Sequence, residues 1–205
     1  MVKTLIFIIA IYSGLFAQNN IIPEGTDLLA IKSLMLREPS ELDPNMSLLV
    51  GSMYQHGMKD MGVSQNRPRA LEYYKHAAKN KIVMANLIIA NMSLEDNSIP
   101  SYIKNLWIVV RAKNSELSIP SGLQLSSYFI AHNKRKESIE VLQFLADEYN
   151  EPRAQFLIGW ATIYENFTSQ RLSKKDGRFY MYQACKNLNR TQKIETYCKK
   201  AGINK

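Results

Sequence analysis

Residues 46–81, MSLLVGSMYQHGMKDMGVSQNRPRALEYYKHAAKNK, contain two helical patterns that are separated by a glycine-containing loop. The apolar face of the first helix consists of Leu49, Val50, Met53 and Tyr54, and that of the second of Ala70, Leu71, Tyr73, Tyr74, Ala77 and Ala78. Both faces follow the i, i+3, i+4, i+7 spacing of an amphipathic helix. Gly57 and Gly62 bound the loop, and Pro68 lies where a helix can begin. This stretch therefore predicts a helix–turn–helix unit.

The same pattern recurs along the chain. Four predicted first helices have a leucine in an equivalent position, at steps of 87 − 49 = 38, 125 − 87 = 38 and 157 − 125 = 32 residues: Leu49, Leu87, Leu125 and Leu157. The second helix at 70–78 aligns with 138–146 and, more loosely, with 177–185, whereas 103–111 is the weakest match. Two helices in a step of roughly 33–40 residues are typical of helical solenoids.

The first unit resembles a Sel-1-like repeat, a relative of the tetratricopeptide repeat. The matching residues are Leu49, Gly51, Met53, Tyr54, Gly57, Gly62, Val63, Ala70, Tyr73, Tyr74, Ala77 and Ala78. The fourth unit keeps Ala154, Leu157, Gly159, Tyr180 and Ala184, but has Thr162 where the first has Tyr54, and Gly177 where it has Ala70. The second and third units keep the helical faces and lose the glycines. The resemblance implies an all-α fold, a right-handed α-solenoid (superhelix) of about four helix–turn–helix repeats over residues 44–189.

In such repeats, Ala and Gly let two helices approach closely, while Tyr and Leu fill the groove between hairpins. The residues predicted to pack in this way are Leu49, Gly51, Tyr54, Ala70, Tyr74, Ala77, Leu87, Leu125, Leu157, Gly159 and Ala184. Both ends of the stack then need caps. The N-terminal segment, 18–43, contains an amphipathic helix at 26–37 with Thr26 as a candidate N-cap. Residues 190–205 are predicted to form a C-terminal capping helix, at 191–200, and a basic tail.

Residues 1–17 have the features of a cleaved secretory signal peptide. Lys3 provides a positive start, 5–16 are almost entirely apolar, and Ala17 precedes a polar run. The alternative is a membrane anchor, which the shortness of the apolar run disfavours. Export is therefore expected.

Cys185 and Cys198 are the two cysteines of the chain. In the oxidising compartment that export implies, a pair so close in sequence predicts a disulfide. A metal or redox pair is the alternative, which the lack of a CxxC spacing and of a neighbouring His disfavours. If Cys185 ends one helix and Cys198 lies on the next, the bridge joins the C-terminal cap to the last hairpin. The cysteine-rich secreted branch of the repeat family is similar, although its cysteines pair at a closer spacing.

The formal net charge is +8, which becomes 8 − 1 = +7 once the leader removes Lys3. The basic residues are spread over helix faces and peak in the tail, and no nucleic-acid-binding motif is present. No nucleic-acid partner is therefore expected. Solvated helix faces, or peripheral contact with an anionic membrane or cell wall, explain the charge better.

No pattern in the sequence indicates catalysis. His56, His76 and His132 have no partners at metal-ligand spacing, and the chain contains no GxSxG, phosphate-binding loop or HExxH. The sequence therefore predicts no catalytic, cofactor-binding or metal site. Most aromatic residues are interpreted as core between repeats, with a few as anchors on a binding surface.

The resemblance implies a protein–protein interaction scaffold or adaptor. The predicted leader makes the periplasm the first choice of location, with secretion as the second. Protein partners in the cell envelope are expected, with the chain acting as a component or assembly factor of a flagellar motor, pilus or secretion system. The alternatives are a secreted protein that acts on a host or neighbouring cell, and a cell-wall-directed hydrolase.

Overall fold

The structure is a computed structural model that describes residues 28–58, 62–168, 172–187 and 192–203. The predicted signal peptide, Thr26 and the last two residues of the basic tail lie outside these ranges. The described part contains ten α-helices and a short 3-10 helix, Pro39–Glu41. The helices are α1 (Leu28–Met35), α2 (Pro44–His56), α3 (Arg67–Lys79), α4 (Val83–Glu95), α5 (Ile99–Val110), α6 (Ser115–Ala131), α7 (Arg135–Tyr149), α8 (Pro152–Ile163), α9 (Lys174–Asn187) and α10 (Gln192–Lys200).

The predicted all-α fold of consecutive helix pairs is confirmed. The helices α2–α3, α6–α7 and α8–α9 pack as pairs, α4 and α5 follow each other in the chain, and α1 and α10 lie at the positions of the two predicted capping helices. Within the described residues, extended pairing is confined to one bridge between Met58 and Val63. The chain divides into two compact units, Met1–Asn105 and Leu106–Lys205.

Local side chains determine where several helices begin. The Asp43 carboxylate accepts a hydrogen bond from the Asn45 backbone N–H at 2.9 Å at the start of α2. Asn66 accepts one from the Arg69 N–H at 3.0 Å at the start of α3, where Pro68 occupies the first turn. Such caps satisfy backbone donors that have no partner inside the helix. The helix boundaries therefore follow from the sequence next to them.

In the first unit, α1 covers the α2–α3 hairpin. The Tyr73 hydroxyl donates to the Arg37 carbonyl at 2.6 Å, and the Tyr54 hydroxyl donates to the Met35 carbonyl at 3.1 Å. The two tyrosine rings stack with centroids 5.6 Å apart. The buried residues around them are Ile31, Met35, Leu42, Leu49, Val50, Met53 and Tyr73. A second cluster joins α3 to α4 and consists of Leu48, Ala70, Tyr74, Ala77, Ala85, Ile89 and Met92.

In the second unit, one buried cluster joins α7 to α8 and includes one residue of α5 and one from the segment before α9. Its members are Val110, Ile139, Leu142, Leu145, Ala146, Ala154, Ile158, Ala161 and Leu172. At the end of this unit, α10 packs on α8. The Tyr164 hydroxyl donates to the Tyr197 carbonyl at 3.1 Å, and the rings of Trp160 and Tyr197 lie edge to face at 4.1 Å.

Three glycines mark the points where the two helices of a hairpin come closest. A Cβ on Gly51 would lie 2.7 Å from the Tyr74 ring, one on Gly122 would lie 2.7 Å from a Leu145 methyl, and one on Gly159 would lie 2.7 Å from the Met181 Cβ. Each distance is shorter than van der Waals contact, so each hairpin depends on the missing side chain. The sequence predicts such glycines at Gly51 and Gly159 and none in the third unit. The structure shows that Gly122 has this role there.

The two departures of the fourth unit from the repeat pattern contact each other. Gly177 lies against Thr162, whose Oγ1 donates to the Ile158 carbonyl at 2.9 Å and fills the space that a side chain at position 177 would need. Thr162 stands where the first unit has Tyr54, and Gly177 where it has Ala70. The larger residue at position 70 of the first unit and the glycine at position 177 of the fourth therefore go with different partners, Tyr54 and Thr162, at the equivalent place.

The four leucines at the predicted repeat step have different environments. Leu49 and Leu125 are buried, Leu87 is half-buried, and Leu157 is 38% exposed. Leu157 is thus partly exposed, and Ala154, Ile158 and Ala161 form the buried apolar stripe of α8. Tyr54 is also only partly buried, whereas the other predicted packing residues, Gly51, Ala70, Tyr74, Ala77, Gly159 and Ala184, lie inside.

We expect Gly159→Ala to lower the free energy of unfolding by about 1–3 kcal/mol, the usual cost of overpacking. The added methyl group would meet the Met181 Cβ and the Gly177 carbonyl, neither of which can turn aside. This loss should exceed the gain of up to about 1 kcal/mol from replacing a helical glycine. Urea unfolding followed by circular dichroism measures the difference.

Gly122→Ala is the matched control, since the three atoms nearest to its new methyl group all belong to the Leu145 side chain, which can shift more easily than backbone. Its loss should be smaller. A Gly159→Ala protein as stable as the wild type would show that the α8–α9 contact is looser than described.

Candidate functional site

The first unit contains a groove between α2 and α4, with a volume of about 420 Å³. We call it the α2–α4 groove. Its apolar lining consists of Leu48, Leu49, Met84, Leu87, Ile88 and Met92. Its polar lining consists of Asn45, Ser52, Gln55, His56, Asn91 and Glu95. A largely apolar concavity with a few orienting polar groups is the usual form of a ligand-binding site.

Tyr74 of α3 forms the floor of this groove. Its side chain is almost completely buried, and its hydroxyl donates to the Gln55 side-chain oxygen at 2.7 Å. Burial raises the pKa of Tyr74 well above the usual value, because the phenolate would lose its hydration. This hydrogen bond orients the Gln55 amide at the groove wall. The buried Tyr74 therefore influences which polar group the groove presents.

Arg67 holds one end of the α2–α4 groove. Its guanidinium lies 2.7 Å from the Glu95 carboxylate and 3.0 Å from that of Asp96, and donates to the Met92 carbonyl at 2.7 Å. Each exposed ion pair contributes at most about 1 kcal/mol. Together these contacts connect the start of α3 to the end of α4 and orient Glu95 at the groove.

The second unit contains a groove lined by residues of α7 and α8 and by the end of α6, with a volume of about 570 Å³. We call it the α6–α8 groove. Ile130 and Leu157 are exposed there, and Trp160 donates from its indole N–H to the Glu165 carboxylate at 3.3 Å. Arg135 pairs with Glu165 at the same wall. Leu157, which the sequence predicted as a packing residue between repeats, is one of the residues that line this groove.

Cys185 and Cys198 form the predicted disulfide, with their Cα atoms 5.9 Å apart. Both residues are buried and pack with Met181, so the bridge joins α9 to α10 inside an apolar cluster. The contact lies beside the Trp160–Tyr197 pair, and Trp160 also lines the α6–α8 groove. The C-terminal cap is thereby connected to the wall of a candidate binding surface.

The titratable groups form no recognisable catalytic arrangement among the described residues. Ser47 and His76 make the one contact that resembles a nucleophile and its base, with Oγ and Nδ1 2.9 Å apart. Ser47 is fully buried, however, and its hydroxyl also lies within bonding distance of the Pro39 carbonyl. In the described part of the chain, no three His, Cys, Asp or Glu residues are grouped to hold a metal ion.

The sequence missed residues that hold the grooves together. Arg67 was not singled out, although an Arg in the first turn of one helix and acidic residues at the end of the next are a detectable signal. The aromatic residues could not be sorted at all. The structure buries Tyr73, Tyr74 and Tyr102, whereas Trp107, Phe144, Phe179 and Tyr180 line a third groove, in the second unit.

These features define the class of protein: an all-α repeat protein whose consecutive helix pairs form a packed core and side-chain-lined grooves. None of the helices in the described ranges is both long and apolar enough to cross a membrane.

Comparison with solved structures agrees with this class. A Sel1 repeat protein from Oxalobacter formigenes superimposes with a TM-score of 0.50 over 87% of this chain and 72% of that chain, at 17% sequence identity. Neither the comparison with protein-family models nor the search of curated proteins gives a match. The chain is therefore a helical repeat protein with the Sel1-repeat fold, as the resemblance of its first unit implies.

We expect the purified, non-reduced protein to contain no reactive thiol. Replacing both Cys185 and Cys198 with Ser should lower the free energy of unfolding by about 3 kcal/mol, because a bridge across so short a loop restricts mainly the unfolded chain. A thiol assay under denaturing conditions and urea unfolding test the two statements. Two reactive thiols in the untreated protein would contradict the first.

The stability of the protein should fall at high pH through Tyr74. Because its pKa is raised in the folded state, this phenol contributes stability below the unfolded pKa of about 10, and the contribution is lost as the pH rises above that value. We expect Tyr74→Phe to make the decrease in urea midpoint above pH 10 shallower. Tyr182→Phe, at an exposed position on α9, is the control and should keep the wild-type slope. Equal slopes in the two variants would contradict the assignment.

Proposed function

We propose that this chain is a protein-binding scaffold of the cell envelope, which holds a segment of a partner protein in the α2–α4 groove. The observation that carries this proposal is the composition of the groove. Apolar side chains on both walls bury a partner's apolar residues, while Asn45, Gln55 and Asn91 provide amide groups for a polypeptide backbone. The fold favours this role, because stacked helix pairs present extended surfaces.

Two features support a location outside the cytoplasm. The sequence of residues 1–17 has the features of a secretory leader. The Cys185–Cys198 bridge is of the kind that persists in oxidising compartments. We therefore place the mature protein in the periplasm, as a component or assembly factor of an envelope machine such as a flagellar motor, pilus or secretion system. The same two features favour release from the cell as the second candidate, with action on a host or neighbouring cell.

The test is affinity capture from the envelope fraction of the source cells, combined with a groove variant. Leu87→Glu places a carboxylate in the apolar part of the α2–α4 groove, where it would lose hydration when a partner binds. We expect the captured partner to be reduced at least about tenfold, a change of the size seen at binding hot spots. Mass spectrometry identifies the partner and quantifies it.

Leu94→Glu is the matched control, because Leu94 is an exposed leucine on the same helix outside the groove. It should capture the partner as the wild type does. Equal loss in both variants, or equal capture, would contradict the assignment to this groove. Recovery of the mature chain in the culture medium would favour the secreted alternative.

A further inference from the structure

The second unit has a third groove, formed by α5, α7 and α9 and about 640 Å³ in volume. We call it the α5–α7–α9 groove. It differs from the other two in chemistry, since its lining combines aromatic rings with carboxylates. α7 contributes different residues to its two grooves: Phe144 faces this one, while Ile139 and Leu142 line the α6–α8 groove.

The aromatic part of this groove is accessible. The rings of Trp107 and Phe144 meet edge to face with centroids 6.2 Å apart, and both side chains are only partly buried. Phe179 is 58% exposed at the edge of the groove and touches Tyr180 at 5.9 Å between centroids. A large exposed aromatic side chain in a concave site is a typical anchor for a binding partner.

Carboxylates surround these rings. The Asp147 carboxylate accepts a hydrogen bond from the Tyr180 hydroxyl at 2.6 Å, and that of Asp176 accepts one from the Ser173 hydroxyl at 2.6 Å. Within the described ranges, the Glu140 side chain has neither a hydrogen bond nor an ion pair. Of the three carboxylates in the lining, Glu140 is thus the one with no hydrogen-bond donor in the described part of the chain.

The charge of this groove opposes that of the whole chain. The three carboxylates and the one guanidinium of the lining, Arg111, give a formal charge of 1 − 3 = −2, in a protein whose net charge is +8. Arg111 lies with its guanidinium 4.5 Å from the centre of the Trp107 ring. The chain itself therefore places a cation on this aromatic surface.

We propose that the α5–α7–α9 groove binds a basic segment of a partner polypeptide, with an Arg or Lys side chain held against the aromatic rings and between the carboxylates. Cation–π contact and charge-assisted hydrogen bonds to Glu140 and Asp147 recognise the cation. Phosphate-bearing ligands such as lipid headgroups or nucleic acids are repelled by the same carboxylates. This site is separate from the α2–α4 groove of the proposed function and adds a second partner chemistry to the scaffold.

The test uses the purified full chain and a fluorescein-labelled peptide that alternates Arg with Gly and Ser. A matched peptide carries citrulline, the neutral analogue, at every Arg position. Fluorescence anisotropy should show saturable binding of the Arg peptide, a weaker affinity at higher salt, and no measurable binding of the citrulline peptide. Failure of the Arg peptide to bind, or equal binding of both peptides, would overturn the proposal.

Two variants locate the binding. Glu140→Gln removes one carboxylate charge, and Phe179→Ala removes the exposed ring; we expect each to weaken binding of the Arg peptide about fivefold or more. Glu116→Gln, an exposed charge on α6, and Tyr182→Ala, an exposed ring on α9 outside the groove, are the matched controls. Controls that lose as much affinity as the groove variants would overturn the location, and circular dichroism verifies that all four remain folded.

The outcomes separate this proposal from the proposed scaffold. Leu87→Glu, which changes the α2–α4 groove, should leave Arg-peptide binding unchanged. If envelope capture succeeds while the Arg peptide fails to bind, the result contradicts only the proposal that the α5–α7–α9 groove binds a cation. If the peptide binds while no envelope partner is captured, the result supports the cation-binding groove and contradicts the proposed envelope function.

Discussion

The close approach of paired helices at Gly51, Gly122 and Gly159 is the contact on which the rest of the structure depends. Each glycine leaves room for one side chain of the opposite helix, which is Tyr74, Leu145 or Met181. These side chains fill the space of the missing Cβ, and each belongs to the buried cluster around its hairpin. Tyr74 then forms the floor of the α2–α4 groove, so the same contact that holds a hairpin together also shapes a surface.

The two ends of the described chain are covered by different means. At the N-terminal end, Tyr54 and Tyr73 donate hydrogen bonds to backbone carbonyls at and just after the end of α1. At the C-terminal end, α10 is attached covalently through Cys185 and Cys198, with Tyr197 packed on Trp160. Short helices cannot stay folded on their own in water, and both caps depend on such tertiary contacts. The covalent attachment explains how a helix as polar as α10 remains docked.

The grooves show how one helix can serve several purposes. In α7, Leu142 and Leu145 belong to the core, Ile139 borders the α6–α8 groove, and Glu140 and Phe144 face the α5–α7–α9 groove. A helix that packs against two neighbouring helices buries two of its faces. The residues at the borders of these buried faces line the grooves. Ala and Gly at the contacts bring the helices close, and the larger side chains are left to form these walls.

The sequence by itself determined the helices, their caps and the first hairpin. These features depend on residues that are close together in the chain, such as Asn66 and Pro68 at the start of α3, or Cys185 and Cys198 at the last helix pair.

Only the tertiary structure decided which face of each helix is covered. Periodicity showed that Leu157 lies on an apolar face, but it could not show that the neighbouring helices leave that face open. Gly122 was missed and the pairing of Thr162 with Gly177 went unrecognised for the same reason, since the partner of each residue lies on another helix. The assembly of Glu140, Asp147 and Asp176 around Trp107 and Phe144 likewise joins three helices, whose packing brings together residues that no local pattern connects.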